Sequence, residues 1–201
     1  MHKIKTAILI SGRGSNMRAL VEAAKNPQYP AEISLVIANQ DNAKTNTSGL
    51  EFAQQNGIKT AFINHKNFAS RQDFDLEMAK IIDANNCQII CLAGFMKILS
   101  PWFVNKYQGR IINIHPSLLP SFKGGKAVFD ALNYGVKIAG CTTHFVTKEI
   151  DSGEIIQQAA VEVLADDNLD RLSARILKQE HIIYPQSLKI VCDILLTKLP
   201  K

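Results

Sequence analysis

The sequence predicts an α/β domain on one open, mainly parallel sheet with helices on both faces. Three observations predict it. Up to His115, short Ile-, Val- and Leu-rich runs alternate with stretches of helical periodicity, the pattern of parallel strands joined by crossover helices. A glycine-rich turn, SGRGSN at 11–16, joins the first run to the first helical stretch, as in Rossmann-like sheets. Beyond Tyr134 the alternation stops and two strand-like runs follow one another, which places antiparallel strands in the C-terminal half.

In chain order, residues 4–10 are the first buried strand and 17–25 the first helix. Residues 33–38 give a second strand, 49–56 a short helix closed by Gly57, and 59–63 a third strand. Ser70-Arg-Gln-Asp resembles a capping box and opens a helix through Ile82, with Phe74, Met78, Ile81 and Ile82 at helical spacing. A strand over 88–93 precedes a helix started by Pro101, whose fixed φ suits a first helical turn. Residues 110–115 complete the parallel set. A helix over 127–134 leads to strands over 136–146 and 155–163. The last helix runs from Asn168 to about residue 196 and is expected to bend or break at Pro185. No repeat or linker interrupts the chain, so one domain over 1–201 is expected.

Composition narrows the function. With 46% hydrophobic residues in 201, the chain can bury a full core. No apolar run reaches the roughly 18 residues of a membrane helix, and the apolar start is too short for a signal peptide. A cytoplasmic protein without membrane contact is expected. Cys87, Cys91, Cys141 and Cys192 lack CxxC or histidine spacing, which argues against a metal site and for small core side chains. The net charge of +5 favours anionic ligands, yet no Lys/Arg run exceeds two, so nucleic acid is not an expected partner.

The turn at 11–16 can bind phosphate. Gly12 and Gly14 let the backbone approach a ligand, and Ser15 and Asn16 present polar groups at a helix N-terminus, where anions are favoured. The plain alternative is a strand-to-helix turn with Ser15 or Asn16 as the cap. A dinucleotide site would need a third glycine where Met17 stands and an acid near Ala38-Asn39-Gln40; a Walker loop would need Gly-Lys-Ser/Thr. A monophosphate fits better than NAD or ATP.

The stretch IINIHPSLLP, 111–120, carries the chemistry. Residues two apart on a strand share a face, so Asn113 and His115 point the same way near the strand's C-terminal end, where open α/β sheets bind ligands. An amide donor beside an imidazole suits a carbonyl reaction: Asn can stabilise an oxyanion, His can add charge or move a proton. His144 is a rival for the same role. Asp151, in Asp-Ser-Gly, would orient an imidazole if it met one; spacing does not say which.

SGRGSN, CLAGFMKILS, INIHPSLLP, THFVTKEIDSG and KQEHIIYP, in this order from residue 4 to about 190, resemble the folate-dependent phosphoribosylglycinamide formyltransferases of the formyltransferase superfamily. The resemblance implies transfer of the formyl group of 10-formyltetrahydrofolate to the amine of a phosphoribosylglycinamide in purine synthesis, without a metal, by a monomer or homodimer. It implies Asn113, His115 and Asp151 as the catalytic trio. Gly14, Ser15 and Asn16 match the phosphate contacts and Glu180 the ribose contact. Arg71, Met96, Lys97, Ile98 and Leu99, with Thr147, Lys148, Glu149 and Ile150, match folate-binding positions. Leu92, Phe103, Val104 and Val146 are suited to an apolar pterin pocket.

The chain departs from the family pattern around Lys126, where many relatives carry histidine after the glycine, and at Glu154, where a proline often stands. These changes flank the site. Rival readings are a methionyl-tRNA formyltransferase, a formyltetrahydrofolate hydrolase, or a non-catalytic folate or nucleotide sensor. The first two carry an extra domain, which is not expected here. A sensor would have been favoured by loss of Asn113, His115 or Asp151.

Overall fold

β1 (Ile4–Ile10) is buried along almost its whole length, as a central parallel strand covered on both faces must be. Around it the computed structural model describes residues 2–40 and 49–198; the expected domain ends at 1 and 199–201 lie outside the described residues. The other strands are β2 (Ala31–Ala38), β3 (Lys59–Phe62), β4 (Ile89–Leu92), β5 (Ile111–His115), β6 (Ile138–Phe145) and β7 (Ile155–Glu162). The helices are α1 (Ser15–Ala24), α2 (Gly49–Gln55), α3 (Arg71–Ala84), α4 (Pro101–Lys106), α5 (Ala127–Tyr134) and α6 (Leu169–Lys198).

The strands form one seven-stranded sheet in the order β3-β2-β1-β4-β5-β6-β7. The first five are parallel, while β6 runs antiparallel to β5 and β7 antiparallel to β6. The predicted α/β class and the antiparallel C-terminal half are both present. The chain winds outward from β1 to β3 and then returns to β4, so the direction reverses between β1 and β4. Ligand crevices form at the C-terminal ends of strands beside such a reversal.

Two apolar layers cover the sheet. On one face Ile8, Met17, Leu20, Tyr184 and Leu188 pack beneath α1 and α6; on the other Leu9, Phe74, Met78, Phe103 and Tyr107 pack beneath α3 and α4. All four cysteines are free and buried.

α6 removes one of the two outcomes expected at Pro185, a break. It continues without interruption through Pro185. An interior proline costs about 3 kcal/mol, but a buried Leu, Ile or Val side chain contributes roughly 1.5–3 kcal/mol. Ile183, Tyr184, Leu188, Val191 and Cys192 are all buried around it, so packing outweighs the lost hydrogen bond. The hydroxyl of Tyr29 also donates to the Pro185 carbonyl at 2.6 Å.

Candidate active site

The register of β5 against β6 builds the centre of the site. Asn113 pairs with His144 and His115 with Thr142, so side chains from both strands project on one face. Asn113 Nδ2 lies 3.2 Å from His144 Nε2. The chain then returns through the β6–β7 loop, which brings Asp151 between the two imidazoles: Oδ2 is 3.4 Å from His115 Nδ1 and Oδ1 is 3.6 Å from His144 Nε2. The question left open by spacing has a double answer. Asp151 meets both histidines.

The loop after β5 closes the cluster. His115 Nε2 lies 2.9 Å from the Phe122 carbonyl, and Gly124 N–H donates to Asp151 Oδ2 at 2.8 Å. A carbonyl only accepts, so His115 Nε2 carries a hydrogen. Phe122 (φ 53°) and Asp151 (φ 48°) both sit in the left-handed region, which costs a non-glycine residue of order 1–3 kcal/mol. Such conformations persist where the surroundings impose them, here on two loops clasping one imidazole. Burial of Asp151 works to raise its carboxyl, but the His144 imidazole, the Gly124 N–H and the His115 imidazole outweigh it and hold the carboxyl below its ordinary value.

A cavity of about 300 Å³ opens beside this cluster. Leu92, Met96, Lys97, Ile98, Leu99, Val104, Asn113, His115, Val146, Thr147, Lys148, Glu149, Ile150 and Asp151 all line it. Two of the predicted folate residues do not. Phe103 is fully buried behind the wall, its ring 4.7 Å from that of Tyr107. On a helix one residue is a turn of about 100°, so when Val104 faces the cavity Phe103 faces the core. Arg71 lines a neighbouring cavity of about 400 Å³ that shares Met96, Lys97 and Ile98 with the first. His144, read in the sequence as a rival of His115 and not as its companion, also lines the main cavity. Its pairing opposite Asn113 depends on strand register, which spacing along the chain does not reveal. Lys126 and Glu154, the departures, are both exposed.

The glycine turn occupies the same edge of the sheet, at the C-terminal end of β1. Gly14 rather than Ser15 or Asn16 takes the N-cap position of α1, with φ 70° and ψ 40° and no side-chain capping bond. The first-turn N–H groups are therefore left uncapped by side chains. Asn16 Nδ2 donates to Glu180 Oε2 at 2.6 Å, joining α1 to α6. Burial pushes the Glu180 carboxyl up, with the Asn16 hydrogen bond pulling the other way. The predicted phosphate and ribose residues thus meet each other, separate from the residues lining the 300 Å³ cavity.

Comparison with known proteins places these features in a family. The family model described as formyl transferase matches residues 4–188. The chain is 46% identical over 192 residues to the trifunctional purine biosynthetic protein adenosine-3 of Gallus gallus, covering 96% of this chain but 19% of that protein. It thus spans about a fifth of the length of such relatives. It is 44% identical to the phosphoribosylglycinamide formyltransferase of Escherichia coli K12, covering 89% of this chain and 82% of that one. Among solved structures, glycinamide ribonucleotide transformylase 1 from Symbiobacterium toebii superposes with a TM-score of 0.90 at 38% identity, over 96% of this chain and 89% of that one. Phosphoribosylglycinamide formyltransferase from Brucella melitensis gives 0.87 at 44% identity, over 94% and 96%. The chain belongs to the formyl transferase family, among its phosphoribosylglycinamide formyltransferases.

Proposed function

We propose that this chain transfers the formyl group of 10-formyltetrahydrofolate to the amine of N1-(5-phosphoribosyl)glycinamide. The observation that carries the reading is the cluster of Asn113, His115 and Asp151 beside a mostly apolar-walled cavity, with an uncapped helix N-terminus along the same sheet edge. The cavity takes the folate, with Leu92, Val104 and Val146 against the pterin and 96–99 and 147–150 around it; Arg71, in the adjoining cavity, meets the outer part of the donor. Gly14, Ser15 and Asn16 hold the phosphate through main-chain N–H groups, and Glu180 holds the ribose.

The amine attacks the formyl carbon, forming a C–N bond while the carbonyl electrons move to oxygen. Asn113 donates an amide hydrogen to that oxygen. Collapse re-forms the carbonyl and breaks the bond to the folate nitrogen, which takes up a proton as the attacking amine gives one up. Both ring nitrogens of His115 face protein atoms, Phe122 O and Asp151. While the Phe122 contact holds, His115 acts on the oxyanion through charge supported by Asp151; direct proton transfer requires Nε2 to leave that carbonyl. The side chains of His115 and Asp151 are 6% and 11% exposed, so water screens that charge weakly.

The test is an absorbance assay for the folate product with and without the phosphoribosylglycinamide acceptor. Absorbance should change only with acceptor present. Turnover that ignores the acceptor would make the chain a hydrolase, and tight folate binding without turnover would make it a sensor.

A further inference from the structure

His144 has a fixed hydrogen-bonding polarity. Its Nδ1 lies 2.8 Å from the Phe145 carbonyl, which can only accept, so Nδ1 carries a hydrogen. In the neutral ring Nε2 then has a lone pair and calls for a donor. The nearest polar atom given to it is Asn113 Nδ2 at 3.2 Å; Asp151 Oδ1 stands 3.6 Å away, too long for a hydrogen bond, and acts on the ring by charge. The Asn113 side chain makes this one hydrogen bond among the described residues. Its amide would otherwise be free to turn over and exchange oxygen for nitrogen.

We propose that His144, locked as the Nδ1–H tautomer by the Phe145 carbonyl, is the positioning residue that sets which way the Asn113 amide faces. One Nδ2 hydrogen goes to His144 and the second is left for a ligand oxygen in the cavity. An amide turned the other way would present Oδ1, an acceptor, to an oxygen on which negative charge develops. The inference rests on the proposed role of Asn113 but reaches a separate residue and a separate property. His144 lines the cavity, but the role proposed for it is exercised through the Asn113 amide rather than on the reacting atoms. Its contribution is orientation, the kind that a metal-bound histidine receives from the carbonyl behind it.

The tautomer can be read without any substrate. Long-range ¹H–¹⁵N spectra of the whole chain, assigned by comparison with His144→Gln, should show the hydrogen of the neutral ring on Nδ1. An Nε2–H tautomer or a doubly protonated ring would overturn the proposal. Kinetics test the consequence. His144→Leu removes the acceptor and should lower kcat by about 10- to 100-fold, less than loss of the donor itself, with KM for both substrates nearly unchanged. His144→Gln, whose Oε1 can stand near the Nε2 position, should restore most of that loss. In an Asn113→Ala background the His144→Leu change should become nearly silent. Full additivity of the two changes, or equal losses for Gln and Leu, would overturn the proposal. If formyl transfer itself fails to appear, the His144 tautomer still decides whether Nε2 can accept from Asn113.

Discussion

The two ends of the crevice are built in opposite ways. The glycine turn gathers its candidate ligand groups within residues 11–16, on one strand-helix junction, and takes Glu180 from afar. The Asn113 centre is assembled from β5, β6, the loop bearing Phe122 and the loop bearing Asp151. The first end is main-chain geometry with a helix dipole behind it; the second is side-chain geometry held by strand register. A local site survives changes elsewhere in the sheet and fails when its own backbone is altered. An assembled site does the reverse.

The largest effects should therefore come from the hinge of the assembled end. Asp151→Ala should lower kcat by about 100- to 10,000-fold with little change in KM, because it removes the carboxylate shared by two imidazoles. Steady-state kinetics of Asp151→Ala alone and in a His115→Ala background sharpen the point. A small residual effect in the double variant would come through His144, whereas complete additivity would separate Asp151 from both rings. Asn113→Ala should cost about 100- to 1,000-fold, the usual loss of one oxyanion donor.

At the local end the expected loss is in binding. Gly14 has φ 70°, and a Cβ there would come 2.7 Å from Met17 Cε. Gly14→Val should weaken acceptor binding by tenfold or more, about 1.4 kcal/mol, while leaving folate binding intact. Separate titrations of the two ligands check this; equal losses would mean that the two ends are not independent.

Two smaller effects follow from buried carboxylates. Asp151 has its folded-state pKa depressed, so its contribution to stability is full above the ordinary carboxylate value and is lost as pH falls through the folded value. The melting temperature of the wild type relative to Asp151→Asn should accordingly drop as the pH is lowered from about 5 towards 2. Asp75 behaves oppositely. Fully buried, it accepts from Ser100 N–H at 2.5 Å, its Oδ1 has no hydrogen-bond partner among the described residues, and burial raises its carboxyl. Its charged form costs stability as pH rises through the folded value. Asp75→Asn should raise Tm by about 2–4 °C at pH 8, the shift that ~1 kcal/mol produces in a domain of this size, and by less at pH 4.

What could be read from the chain follows the same division. The strands, the glycine turn and the shared face of Asn113 and His115 are local patterns of period two or of helical spacing, and each lies where the sequence places it within about two residues at its ends. Asp151 could be singled out, but not its partners, because the β5–β6 register and the loop return are set by packing across the sheet. Phe103 was misplaced by one step on a short helix, where one residue decides between cavity and core. Pro185 does not break α6, because there a local rule meets a larger tertiary energy. Gly14 at the cap, in place of Ser15 or Asn16, was hidden because backbone φ rather than side-chain chemistry selected it.

The loop between β6 and β7 has closed ends. Phe145 N–H donates to the Glu154 carbonyl at 2.9 Å, and a Cβ on Gly153 would lie 1.8 Å from the Phe145 carbonyl, so the backbone is pinched shut where the loop leaves the sheet. Inside the pinch Thr147 Oγ1 donates to the Glu149 carbonyl and Ser152 Oγ to the Ile150 carbonyl, bonds that the loop makes with itself. For an engineer, residues 147–150 form an exchangeable cartridge: four positions on the cavity wall that can be randomised between fixed clips. Gly153 is the clip that any such library must leave alone.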